Sequence, residues 1–305
     1  MKLSKVFSLV KLSVMAWIDD FAPSMGAAIS YYTAFSLAPL LVIVIAVAGF
    51  VFGEEAVRGV IQAQIAGLVG QEGATVIQSL IASAREPAEG LVAGSISIVF
   101  LVVGATTVFG EIQSALDRIW HVPEKAKPSG LWGLLRTRFL SFGLILGLAF
   151  LLMTSLAVGA AVAAVGQWFG GFFPGGEFLL HLLNLVLSLL IGTVLFGAIF
   201  KWMPSVQIAW RDVWVGAIVT ATLFEVGKLL IGLYIGKAGL DSTYAAAGAI
   251  AIVLIWVYYA AQIFLLGAEF TKVYARERGA VSKEEGGVAK TNEPRASGAG
   301  KPVQP

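Results

Sequence analysis

Six long apolar runs divide the chain: Ala27–Phe52, Leu91–Gly110, Phe139–Val165, Leu179–Phe200, Val213–Ile235 and Ala246–Phe270. Each reaches or exceeds the roughly 20 residues that an α-helix needs to cross a bilayer core. Lipid offers no water to unpaired backbone groups, so helices are the expected form. The period-two alternation of a membrane β-barrel is absent. The pattern therefore predicts an all-α fold, a polytopic membrane helix bundle with six transmembrane helices. Between the first two runs, residues 53–90 are more polar. Val57, Val60, Ile61, Ile65 and Leu68 recur at helical spacing, as do Val76, Ile77, Leu80, Ile81 and Ala84. This predicts two short amphipathic helices in the first outer loop, separated near Gly70–Gly73, either lying on the membrane surface or capping the bundle mouth. The organisation that follows is a six-span membrane domain over 1–278 and a tail over 279–305. The tail is rich in Gly, Lys, Glu, Ala and Pro and is expected to be a disordered cytoplasmic segment. Gly232/Gly236 and Gly143/Gly147 have small-xxx-small spacing, a weak signal in a chain with 35 glycines.

Composition supports lipid as the solvent. The chain of 305 residues is 58% hydrophobic and 13% charged, against roughly 25% charged in a typical soluble domain. The net charge of +2 makes no case for nucleic-acid binding. The distribution of charge is more informative. Of 21 Lys and Arg, 17 fall on the side that holds the termini and the loops after the second and fourth runs. Only Arg58, Arg85 and Lys237 fall on the other side. The positive-inside rule then places both termini in the cytoplasm of a multi-pass protein of the bacterial inner membrane. The absence of cysteine excludes disulfides and thiolate chemistry. No P-loop, HExxH or GxSxG motif occurs, and the two histidines, His121 and His181, stand far apart. No cofactor, metal site or enzymatic activity is expected, and nothing sets an oligomeric state.

Candidate chemistry is confined to a few polar residues in apolar surroundings. Glu225 and Lys228, three apart on one helix face, interrupt the fifth run. An ion at the bilayer centre costs about 2.5–3.5 kcal/mol on insertion scales. The pair reads either as the polar core of a substrate or ion path or as a structural lock between helices. Tyr31, Tyr32 and Thr33 precede Pro39 in the first run, forming either a kinked gate or an interfacial anchor with an ordinary membrane kink. Gln113 and Asp117, with Arg118, lie where the second helix emerges, closing the cytosolic side or bonding between helices. Glu269 ends the last run and joins the candidate path, with a hydrogen bond to a neighbouring helix as the plainer reading. Lys125, Lys127, Arg136 and Arg138 flank Trp132 and are candidates for contact with anionic lipid headgroups, or set topology alone.

Several blocks resemble one family. "AAISYYTAFSLAPLLVI" (Ala27 to Ile43), "GEIQSALDRIWHV" (Gly110 to Val122) and "RFLSFGLILG" (Arg138 to Gly147) resemble the BrkB/YihY-like bacterial inner-membrane proteins. So do the segments from Lys201 to Gly236 and from Ser242 to Ala275. Asp117 stands where many members have Asn, and Ala245 where Gly commonly follows the Tyr. The resemblance implies six spans and cytosolic termini. It also brings an old ribonuclease label, a link to serum resistance and a lipid-export role proposed for relatives. Two distant histidines without cysteine speak against the ribonuclease label. The expected function is a transporter or exporter of an amphiphile such as a lipid, its groove lined by the first, fifth and sixth spans. The alternative is a non-transporting scaffold. Expected partners are membrane lipids, and envelope proteins through residues 53–90.

Overall fold

A computed structural model describes residues 3–84, 91–123, 143, 176–237 and 245–279. Among these, all regular structure is helical. Seven helices follow in order: α1 (Leu3–Asp19), α2 (Ala22–Phe52), α3 (Glu54–Ala84), α4 (Leu91–Ile119), α5 (Gly176–Trp202), α6 (Trp210–Lys237) and α7 (Ala245–Glu277). Four stretches are long and apolar enough to cross a membrane: Ala22–Phe50, Val99–Ile119, Leu182–Trp202 and Val253–Glu277. They correspond to the first, second, fourth and sixth apolar runs. The fifth run is helical as expected, within α6. The third run, Phe139–Val165, falls almost wholly outside the described residues, as do Lys125, Lys127, Arg136, Arg138 and residues 280–305.

Two expectations need correction. The segment before α2 is itself a helix, α1, where the sequence had shown only a basic terminus. The outer loop carries one helix, α3, rather than two, because the chain stays helical through Gly70–Gly73. That stretch has two helix-weakening glycines, at about 1 kcal/mol each, but no proline to remove a hydrogen bond and force a break. Of the apolar positions, Val57, Ile61, Ile77 and Ile81 are buried and Leu80 is exposed, and α3 packs on α2 and α7. The buried positions are thus met by protein.

α7 is the centre of the bundle, touching α1, α2, α3, α4 and α6. Close approach is possible because small residues meet hydroxyls. A Cβ added to Gly216 would overlap the Thr271 side chain, and one added to Gly267 would overlap Thr220. These reciprocal pairs run antiparallel and are followed by Gly227, which lies against Tyr259 and Ile263. Thr220 and Thr271 satisfy their hydroxyls on Gly216 O and Gly267 O, both at 2.7 Å. α5 joins the outer side of α6 through Gly192 against Ala221 and Gly197 against Ala217. α2 crosses α7 with Gly26 under Gln262, and Ser30 donates to Leu254 O at 2.9 Å. Pro39 of α2 packs on Gly104 of α4.

Gly216→Val and Gly267→Val should each destabilise the purified protein by about 1–3 kcal/mol, the usual cost of overpacking. Gly59→Ala, in open space within α3, should be neutral or mildly stabilising. Thermal unfolding in detergent reads both; equal melting temperatures across the three variants would refute the close α6–α7 seam.

Candidate functional site

The Glu225–Lys228 pair lies mid-helix on α6, about 17 Å along the axis from Trp214 at 1.5 Å per residue. Trp202, Trp210 and Trp214 form an exposed cluster at the α5–α6 connection, with ring centroids 6.0 and 6.1 Å apart. Such aromatic groups mark a membrane–water interface, and half of a hydrocarbon core is about 15 Å. The pair therefore falls near mid-depth if α6 crosses the bilayer. Lys228 Nζ donates to Glu225 Oε1 at 2.7 Å and lies 3.4 Å from Ser188 Oγ. The Ser188 hydroxyl, from α5, donates to the same Glu225 oxygen. The side chains of Lys228 and Glu225 remain 30% and 19% exposed, because they open onto a cavity rather than into a packed core.

That cavity has a volume of about 370 Å³. Its walls are apolar: Ile191, Leu195, Phe196 and Ile199 from α5, Phe224 from α6, and Val257, Ala261 and Phe264 from α7. Ile29 of α2 and Ile112 of α4 complete it. Ser188, Glu225 and Lys228 are its polar members. Phe196 links the three walls, edge-on to Phe224 at 5.7 Å and tilted against Phe264 at 6.3 Å between ring centroids. The groove thus takes in the fifth and sixth runs and Ile29 of the first, as expected, and adds α5, the fourth run, as a further wall. Ser188 is the member that sequence reading missed, since a single serine in an apolar run carries no signal.

The other candidate residues are not at this cavity. Tyr31 is 58% exposed and packs on Tyr32 and Phe35. Tyr32 is 38% exposed, and Pro39 packs on Gly104 of α4. Asp117 is buried and accepts from Ser205 N and Ser205 Oγ, both at 2.7 Å. Gln113 reaches the same Ser205 at 3.5 Å. These two residues hold the turn between α5 and α6.

Glu269 belongs to a third cluster. It is fully buried, and its Oε2 lies 3.2 Å from Lys272 Nζ. Lys272 also donates to Asp20 Oδ2 at 2.6 Å, and His121 Nε2 lies 2.9 Å from Asp20 Oδ1. The Asp20 and Glu269 carboxyls touch, a contact that is a hydrogen bond only while one of them carries a proton. This junction ties the α1–α2 turn to the ends of α4 and α7. Phe21 and His121 both hold left-handed backbones there, at φ 57° and 50°, a strain that persists where neighbouring contacts fix it. Burial pushes the Asp20 carboxyl up. Hydrogen bonds with Glu269, Lys272 and His121 outweigh it and hold the group at about 2. Asp20 was absent from the sequence reading, and Lys272 had counted only toward topology. The available signal was the Glu269–Lys272 spacing, the same as that of Glu225–Lys228. Among the described residues no three His, Asp or Glu side chains gather as a metal site.

A profile of the family described as Virulence factor BrkB matches residues 15–292. Among similar curated proteins is a UPF0761 membrane protein of Pseudomonas aeruginosa, 29% identical over 259 residues, covering 83% of this chain and 59% of the relative. One from Ralstonia nicotianae is 25% identical over 252 residues, covering 82% and 55%. One from Glaesserella parasuis is 30% identical over 188 residues, covering 59% and 61%. The chain therefore spans somewhat under two thirds of the length of these relatives. No solved structure matches.

Asp20→Asn should lower stability at pH 7 by about 1.5–3 kcal/mol, the worth of hydrogen bonds to a charged group. A carboxyl held at about 2 against an ordinary 3.8 contributes stability above the ordinary value and loses it as pH falls through the lower one. The gap in melting temperature between wild type and Asp20→Asn should therefore close from pH 5 toward pH 2. A gap that is constant with pH would show that the Asp20 charge is not what holds the junction.

Proposed function

The chain belongs to the Virulence factor BrkB family, and on that footing we propose that it is a six-span inner-membrane protein, both termini cytosolic, that binds and moves an amphiphile such as a lipid. One observation carries the reading. A half-exposed acid, base and hydroxyl stand together in an otherwise apolar cavity among α5, α6 and α7. Its volume is of the size of small-molecule sites, enough for part of an acyl chain beside a headgroup. Lys228 would meet an anionic headgroup oxygen, while Glu225 and Ser188 would hold a cationic or hydroxyl part. Apolar walls would take the chain. Without an ATP-binding motif on this chain, movement would be passive, ion-coupled or driven by a partner. No chemistry on the amphiphile is invoked. Gln113, Asp117 and Glu269 would brace the cytosolic side of the path rather than touch the substrate.

A second reading has its own support. α3 runs for 31 residues outside the apolar runs and presents Glu55, Arg58, Gln62, Gln78 and Ser79 around a cavity of about 610 Å³. Such a surface would suit a scaffold that docks envelope proteins through residues 53–90.

Removing one partner of a desolvated ion pair costs about 3–5 kcal/mol, whereas replacing both is often neutral. Glu225→Gln combined with Lys228→Met should therefore fold like wild type. On the transport reading it should lose at least tenfold in co-purified lipid by native mass spectrometry, and in lipid movement in reconstituted vesicles. Leu185→Ala, on the exposed side of α5, should keep both. A double variant that folds and retains lipid would reduce the pair to a structural lock and favour the scaffold.

A further inference from the structure

α1 has a surface that the transport reading does not use. At 100° per residue, its 17 residues divide into three faces. Leu9 and Ser13 are buried, and α1 packs on α7. Next to that face, Val6, Val10, Val14 and Ile18 recur four apart, with Phe7 beside them, and all five are exposed. Lys11 borders this stripe, while Lys5 and Ser8 lie farther round, also exposed, with Leu12 and Met15 exposed between them. Phe21 continues the apolar side at the turn and is 62% exposed. The Arg118 guanidinium stands over its ring at 5.9 Å.

We propose that α1 is an in-plane membrane helix, with its Val6–Ile18 stripe sunk into the cytosolic leaflet and its lysines at anionic headgroups. It does not span: its buried face is already taken by α7, and its length is below the roughly 20 residues that crossing requires. The occupant of the stripe is a lipid surface for three reasons. The stripe runs directly into α2, whose apolar stretch begins at Ala22, so the same bilayer is within reach. Lys11 borders the apolar stripe and Lys5 lies farther round on the exposed side, basic residues of the kind by which helices bind anionic interfaces. The polar C-terminal residues 280–305 offer little apolar surface to cover it. The Asp20 junction holds α1 in place, since Lys272 and His121 grip the residue just past its end.

The chain has no cysteine, which makes the test direct. Single cysteines at Phe7, Val10 and Ile18 on the stripe, and at Lys5 and Ser8 off it, are labelled in the full-length protein. The labelled protein is reconstituted in vesicles of phosphatidylethanolamine and phosphatidylglycerol. Brominated acyl chains should quench the stripe labels at least threefold more than the off-stripe labels, with the reverse for aqueous iodide. Lys5→Gln with Lys11→Gln should weaken that contrast when phosphatidylglycerol is present and change little without it. Equal quenching at all five positions would overturn the proposal. So would disulfide crosslinking of Val10→Cys between copies, or shielding of the stripe from both quenchers.

Discussion

An ion inside an apolar bundle has to be met there, because lipid supplies neither water nor counter-charge. Two Glu-x-x-Lys steps meet this constraint in different ways. At Glu269–Lys272 the side chains are 0% and 3% exposed, and a third ionisable residue, Asp20, closes the group. At Glu225–Lys228 they are 19% and 30% exposed, and among the described residues the further polar contact is a serine hydroxyl. Identical spacing on two helices thus gives one sealed junction and one open pair. The difference lies in what faces each step: a whole inter-helix turn in the first case, an aromatic-walled cavity in the second.

The cavity exists because of how tightly its floor is built. Gly216, Gly267 and Gly227 bring α6 and α7 into backbone-to-side-chain contact at successive turns. In lipid, where apolar helices gain nothing by leaving an equally apolar solvent, such close packing is what drives association. α5 meets α6 through smaller pairs, Gly192 with Ala221 and Gly197 with Ala217. The space between α5 and α7 is left to be bridged by phenylalanines. Phe196 spans it, and the acid–base pair looks into the remainder.

Much of this was legible in one dimension. Apolar run length gave the helices, including α6, whose charges interrupt an otherwise uniform run. The buried positions of α3 followed from its periodicity. What was not legible depends on pairing between distant segments. Ser188, Ser205 and Asp20 are ordinary residues alone and acquire roles only opposite Glu225, Asp117 and Lys272. The continuity of α3 through Gly70–Gly73 escaped because glycine weakens a helix without ending it, and packing on α2 and α7 decides the outcome. α1 escaped because a helix with two apolar faces, one for protein and one exposed, shows little of the simple two-sided pattern.

The open pair also bears on what the cavity is for. An ion pair is a poor source of stability, since desolvating two charges offsets most of their attraction, and apolar residues of similar volume commonly do as well or better. A bundle that needed only cohesion at α5–α6 already has it in the Gly192 and Gly197 contacts. The Glu225–Lys228–Ser188 group joins α5 to α6 through one hydroxyl and otherwise opens onto the cavity. Its donors and acceptors are half satisfied and pre-positioned, so a ligand group entering the cavity would find charge already desolvated and aimed at it. The sealed Glu269–Lys272–Asp20 junction shows how the same chemistry is arranged when its task is to fasten helices. The contrast between the two is the physical reason for proposing binding at the open pair and fastening at the sealed one.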